Sequence, residues 1–238
     1  MQPLILAEPD RPVWGFAELF LAAAVFVAAL WCVAMGTDHF LGTSAHSGLW
    51  SVIENAVAYA ILFLMLKFMF LHLGQGMLDS LAWNKPGPFT PWSLIVTGIT
   101  LSLLVAVMEK LLLTPEVETP FEKLLSDPAS RIAVALFGVT VAPIVEELLF
   151  RGFLQPVLVS AIGVFPGILV SSAMFGALHL TQNAGIWQSG ALIMLVGFVL
   201  GTVRHVSGST RASAIVHSAY NSLPFILLLI DGDPLSKK

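Results

Sequence analysis

About seven apolar runs, most of them near the roughly 20 residues that cross a bilayer core about 30 Å thick, recur along this chain of 238 residues. They cover 14–36, 49–74, 93–113, 131–158, 166–180, 186–203 and 212–230. Runs of this length read as transmembrane helices, because lipid offers no water to satisfy an open backbone. The fifth run is short, and polar residues inside the protein are expected to continue it. Only 11% of the chain is charged and 57% is hydrophobic, against roughly 25% and about 45–50% in soluble domains. With a mean hydropathy of +0.87, most of the surface must face lipid. The expected fold is all-α, a polytopic transmembrane bundle of about seven to eight helices.

The formal net charge of −4 comes with no Lys/Arg cluster suited to a phosphate backbone, which argues against a nucleic-acid partner. Cys32 is the single cysteine, so neither an intrachain disulfide nor a Cys-rich metal site follows. The first run exceeds a signal-peptide core, and its leader sets Glu8 and Asp10 against Arg11 without a basic n-region. It reads as a retained helix. The stretch NKPGPFTPW cannot remain helical. The acidic stretch 114–130, with three prolines, belongs outside the hydrocarbon, with a short interfacial helix at 121–125. The chain divides into a membrane region at 1–130, a motif-bearing membrane domain at 131–230 and a polar tail at 231–238.

Polar groups at lipid depth carry the functional information, since a charge at a helix centre costs roughly 2.5–3.5 kcal/mol on insertion scales. The fourth run reads VAPIVEELLFRGF, with Glu146, Glu147 and Arg151. The fifth holds Phe175 and His179 in AMFGALHL, and the seventh holds His217 and Asn221 in IVHSAYNSL. Glu147 and Arg151 are four apart with the acid first, the favoured direction for an intrahelical pair. Glu146 is turned from Glu147 by about a quarter turn and can face another helix. His217 shares a helix face with Asn221, and Phe175 shares one with His179. Three helices can therefore aim two imidazoles, an amide and a free carboxylate at one buried point.

Each of these residues has a plainer reading alone. A Glu–Arg pair can be a structural clamp, and a histidine at a helix end can be interfacial, which is how His72 and His205 are read. Glu18, Glu54, Lys67, Glu109 and Lys110 lie near span ends or snorkel. Gly197 and Gly201 form a GxxxG surface for a close-packed neighbour. Joint occurrence on successive helices lifts Glu146, His179, His217 and Asn221 above these readings.

The motifs EELLFR, FGALH and HSAYN fit EExxxR, FxxxH and HxxxN in order. They resemble the type II CAAX prenyl proteases (Rce1-like) and the bacteriocin-immunity Abi proteins, a family of intramembrane proteases. The resemblance covers about 131–230. It implies a multi-pass enzyme of a prokaryotic cell membrane that hydrolyses peptides or proteins presented at or in the bilayer, including prenylated CAAX-type substrates. It implies that Glu146 and His179 activate a water and that His217 and Asn221 form an oxyanion site. Glu147 and Arg151 would support the helix carrying Glu146. The same resemblance favours a mechanism without a cofactor. Two histidines plus a carboxylate also suit zinc, so Glu146, His179 and His217 stand as the ligand set of a metal-dependent alternative, although no HExxH helix is present. Two other classes use buried polar clusters: a non-catalytic immunity protein that binds a peptide, and an ion-coupled transporter. A transporter predicts paired broken helices, and Pro143 has no counterpart in the first half.

Overall fold

The computed structural model describes residues 12–41, 48–115, 117–125 and 127–231. Glu8, Asp10 and Arg11 of the leader, and residues 232–238 of the expected tail, lie outside the described residues. Among the described residues all regular structure is helical. In chain order the elements are α1 (Phe16–Leu41), α2 (Gly48–His72), α3 (Met77–Ser80), α4 (Pro91–Leu111), α5 (Pro120–Lys123), α6 (Pro128–Val139) and α7 (Val141–Glu147). A π-helical stretch, Leu148–Leu154, leads into α8 (Gln155–Ile162), then α9 (Val164–His179), α10 (Trp187–Ser207) and α11 (Thr210–Asp231).

The protein is an integral, multi-pass membrane protein. Among the described residues six helices are long and apolar enough to cross a bilayer, one fewer than the seven spans expected. The difference is α9, whose 16 residues at 1.5 Å per residue reach only about 24 Å. Residues beyond it continue in hydrogen-bonded turns, with Asn183 and Gly185 donating to the Leu180 carbonyl. Outward-facing side chains such as Phe20, Trp31, Phe68 and Leu111 are exposed, as lipid contact requires.

Local chemistry explains where several helices begin. Thr90, Thr119 and Asp127 each stand before a proline, and their side chains accept from the N–H of Ser93, Glu122 and Ser130. Cap plus N1 proline is the usual helix opening, since proline lacks an N–H that would otherwise go unpaired there. Hydrogen bonds from the Ser130 hydroxyl and N–H hold the Asp127 carboxyl below the usual carboxylate range. The expected interfacial helix forms as α5, opened by a Thr119–Glu122 capping box.

The fourth span departs most from the expected single rod. It runs for 35 residues, Pro128–Ile162, about 52 Å if straight. It breaks at Thr140, whose ψ is −73°. Pro143 causes the break, because its ring crowds the carbonyl of Val139 and it has no N–H to return. The π-helical stretch after α7 then adds a second irregularity beside the polar motif.

Close backbone approach holds the bundle together. α11 lies against α4, α9 against α8 and α10, and α2 against α1 and α6. A Cβ at Gly98 of α4 would overlap the Val216 carbonyl oxygen, and one at Gly176 of α9 would stand 2.6 Å from the Gly190 carbonyl oxygen of α10. A Cβ on Gly197 would come within 3.2 Å of the Ser172 backbone, so the GxxxG surface does receive a neighbouring helix. Without a hydrophobic drive between helices in lipid, such packing is the main source of cohesion. Gly98→Val should therefore lower unfolding stability in detergent by about 3 kcal/mol, the upper end for overpacking. Gly36→Ala, with nothing within 4 Å of the new methyl, should leave the melting curve unchanged.

Candidate active site

Glu147 is the most deeply placed acid of the motif, with no solvent exposure. Its Oε1 accepts from Arg151 Nη1 at 2.8 Å and from His217 Nδ1 at 3.0 Å. The i,i+4 pair expected within one helix thus extends to α11. Arg151 reaches further still. Its Nη2 donates to the Gly197 carbonyl of α10 at 2.9 Å, and its guanidinium lies 4.6 Å from the Phe175 ring centre of α9. One turn later Gln155 repeats the device, donating to the Gly201 carbonyl at 3.0 Å. A Cβ on Gly201 would meet Gln155 Oε1 at 2.8 Å, so glycine at this position gives the amide room.

Glu146 has a different environment. Its side chain keeps 22% exposure while Glu147 has none, so Glu146 is the acid with an accessible face. Its Oε2 lies 3.8 Å from His217 Nε2, an ion-pair separation beyond hydrogen-bond range. The quarter-turn offset between adjacent residues does what the spacing predicts: one carboxylate is sealed and the other faces open space.

The histidine tautomers follow from their partners. A carbonyl can only accept, so His179 Nδ1–H donates to the Phe175 carbonyl at 2.8 Å. In the neutral ring, His179 Nε2 then carries the lone pair. His217 likewise directs Nδ1–H at Glu147, so its Nε2 can donate only when the ring holds both protons. With that second proton, Glu146, Glu147, Arg151 and His217 sum to zero charge.

Phe175, buried to 1% exposure, is the wall these groups share. Its ring centre lies 4.6 Å from that of His179 and 5.8 Å from that of His217. Among the described residues no hydrogen bond or ion pair joins His179 to Glu146. Asn221, one turn beyond His217, donates from Nδ2 to the Gly138 carbonyl of α6 at 2.8 Å. That carbonyl lies two residues before the break at Thr140. One N–H of the amide is therefore committed to holding the broken span, and the other remains for a ligand.

The structure brings Glu146, Glu147, Arg151, Phe175 and His217 into one cluster, sets His179 behind Phe175, and ties Asn221 to α6. Spacing did not reveal the Glu147–His217 bond, nor Gly138 and Gly197 as carbonyl acceptors. Backbone acceptors leave no mark in side-chain spacing. Among the described residues no three His, Cys, Asp or Glu side chains come together in a way that can hold a metal ion, Glu146, His179 and His217 included.

Residues 128–223 match the family model described as type II CAAX prenyl endopeptidase, Rce1-like. No curated protein and no solved structure matches the chain.

The buried ion pair yields a prediction. Arg151→Met leaves a sealed carboxylate with only His217 opposite it, and should cost about 3–5 kcal/mol of stability. The double variant Glu147→Gln/Arg151→Met should recover part of that loss. Thermal unfolding of both proteins in the same detergent checks the pair, and an unchanged single variant would mean that Arg151 is not the clamp.

Proposed function

We propose, from the match of residues 128–223 to the Rce1-like type II CAAX prenyl endopeptidase model, that this chain is an intramembrane endopeptidase of a prokaryotic cell membrane. Its substrates are peptides or proteins presented at or in the bilayer, with prenylated CAAX-type sequences as the first class to test. One observation carries the reading: two adjacent carboxylates, one sealed by Arg151 and His217 and the other with an accessible face. A structural clamp needs only the first.

Glu146 acts as general base and takes a proton from a water as its oxygen attacks the scissile carbonyl. His179 assists through Nε2, the nitrogen left with a lone pair by the bond to Phe175. The new C–O bond pushes charge onto the carbonyl oxygen. His217 Nε2–H and the uncommitted N–H of Asn221 donate to that oxyanion, the arrangement that lowers acyl-transfer barriers most. Collapse breaks the C–N bond, and the proton held by Glu146 passes to the departing amine. Glu147 and Arg151 touch no reacting atom. They orient His217 and keep its Nδ1 occupied, so that its Nε2 faces the reaction. The mechanism routes no step through a metal.

The test is hydrolysis of a farnesylated CAAX-type reporter peptide by the purified full chain in detergent. Wild-type protein should cleave it, and cleavage should survive a strong chelator. Glu146→Ala should lose about 10²–10⁴-fold in kcat, the range for a general base. Asn221→Ala should lose roughly 10²–10³-fold, the scale of one oxyanion donor. Retained turnover in Glu146→Ala would sink the assigned chemistry, and loss to chelator with recovery on added zinc would replace it with a metal mechanism.

A further inference from the structure

A groove separate from the acid cluster runs along α11, walled by Ile95 of α4, Ile144 of α7 and Trp83 of the turn after α3. Its cavity volume is about 500 Å³, inside the roughly 300–1,000 Å³ of small-molecule sites. Along α11 the lining extends from Arg211 to Ser222, about 16 Å at the helical rise. That length is close to one leaflet of a hydrocarbon core about 30 Å thick. Since α11 is one of the membrane-crossing helices, the groove lies at lipid depth, and an apolar chain must cover it. Arg211 is the one charged residue in its lining, and Asp79 of α3 has no part in it.

An apolar wall accepts any acyl chain, so the choice of headgroup falls to Arg211. It is the second residue of α11, exposed, and shares the groove with Trp83, a residue type suited to the membrane–water interface. Its neighbour Arg204 is committed, donating from Nε to Thr210 Oγ1 at 3.0 Å. Among the described residues no hydrogen bond or ion pair holds Arg211. A second exposed cation, Lys85, belongs to the same end of the bundle. The Asn84 carbonyl beside it accepts from the Ser209 hydroxyl at 2.8 Å, which ties that loop to the start of α11. Cations at the mouth of an apolar groove without acids complement a headgroup of net negative charge. The planar guanidinium also matches a phosphate in geometry.

We propose that this groove binds one anionic phospholipid of the surrounding bilayer, its phosphate on the Arg211 guanidinium and one acyl chain lying along α11 towards Ser222. A zwitterionic lipid brings the same chain without the net charge, so Arg211 sets the preference between them. The bound chain wedges between α4, outside the matched segment 128–223, and α7 and α11, inside it. The site therefore fastens the two halves of the bundle to each other. It does not depend on the endopeptidase reading.

Native mass spectrometry of the purified full chain, delipidated in detergent and titrated with phosphatidylglycerol or phosphatidylcholine of identical chains, reads the two affinities. Wild type should bind phosphatidylglycerol roughly five- to tenfold more tightly, the scale of one cation beside an anionic headgroup. Arg211→Gln should abolish that preference and leave phosphatidylcholine binding unchanged, while Arg211→Lys should keep most of it. Ile95→Trp, which fills the groove, should weaken both lipids. Equal binding of the two lipids by wild type, or wild-type phosphatidylglycerol affinity in Arg211→Gln, would overturn the inference. So would Ile95→Trp with both affinities intact, because the lipid would then lie elsewhere. Glycerol phosphate displacing the lipid at equal concentration would reduce the site to a phosphate contact and overturn the assignment of the chain. Lipid-free melting of each variant separates weakened binding from misfolding. Should Ile95→Trp not fold, the two variants of the exposed Arg211 decide the matter.

Discussion

A carboxylate with no exposure, deep in a membrane bundle, is tolerable only if everything around it answers its charge. Glu147 is answered at Oε1, by Arg151 at 2.8 Å and His217 at 3.0 Å, while its buried Oε2 has no hydrogen-bond partner among the described residues, and the rest of the centre hangs from those two bonds. Arg151 has donors to spare once Glu147 is served, and it spends one on the Gly197 carbonyl and sets its plane over Phe175. A single guanidinium thereby reaches α9 and α10 from the π-helical stretch. Lysine would not substitute, since it offers a point charge in place of a planar fork. The imidazole brings in α11. Four elements meet at one acid, and its removal would strand the cation and free the ring together.

Irregular backbone supplies what a straight helix cannot. The break at Thr140, forced by Pro143, lets one span change direction beside the polar motif and frees backbone carbonyls near its bend. Asn221 pairs with the one at Gly138, so the amide of the third motif has a structural duty besides any catalytic one. The π-helical stretch carrying Arg151 widens the helix where the guanidinium must fit. Such departures concentrate at functional sites, and here both lie within one turn or two of Glu146.

Legibility differed from residue to residue for physical reasons. The Glu147–Arg151 pair was readable because it is local, an i,i+4 relation on one helix. The division of labour between Glu146 and Glu147 was readable because adjacent residues point apart. The Glu147–His217 bond spans 70 positions and depends on how α11 packs, which no helical period encodes. The fifth run was counted as a span, but α9 is apolar yet only 16 residues long, and hydropathy alone does not measure where a helix stops.

The amino-acid sequence by itself determined that the chain lives in lipid, that its spans are helical, and that three motifs carry costly polar groups. Hydropathy and the 3.6-residue period suffice for those statements, because each depends on near neighbours. Only the tertiary structure decided which acid is sealed and which keeps an exposed face, and which nitrogen of each histidine is occupied. Those outcomes depend on helix crossings set by glycine contacts such as Gly98 with Val216 and Gly176 with Gly190. Such crossings are agreements between distant segments, and they exist only once the bundle has closed.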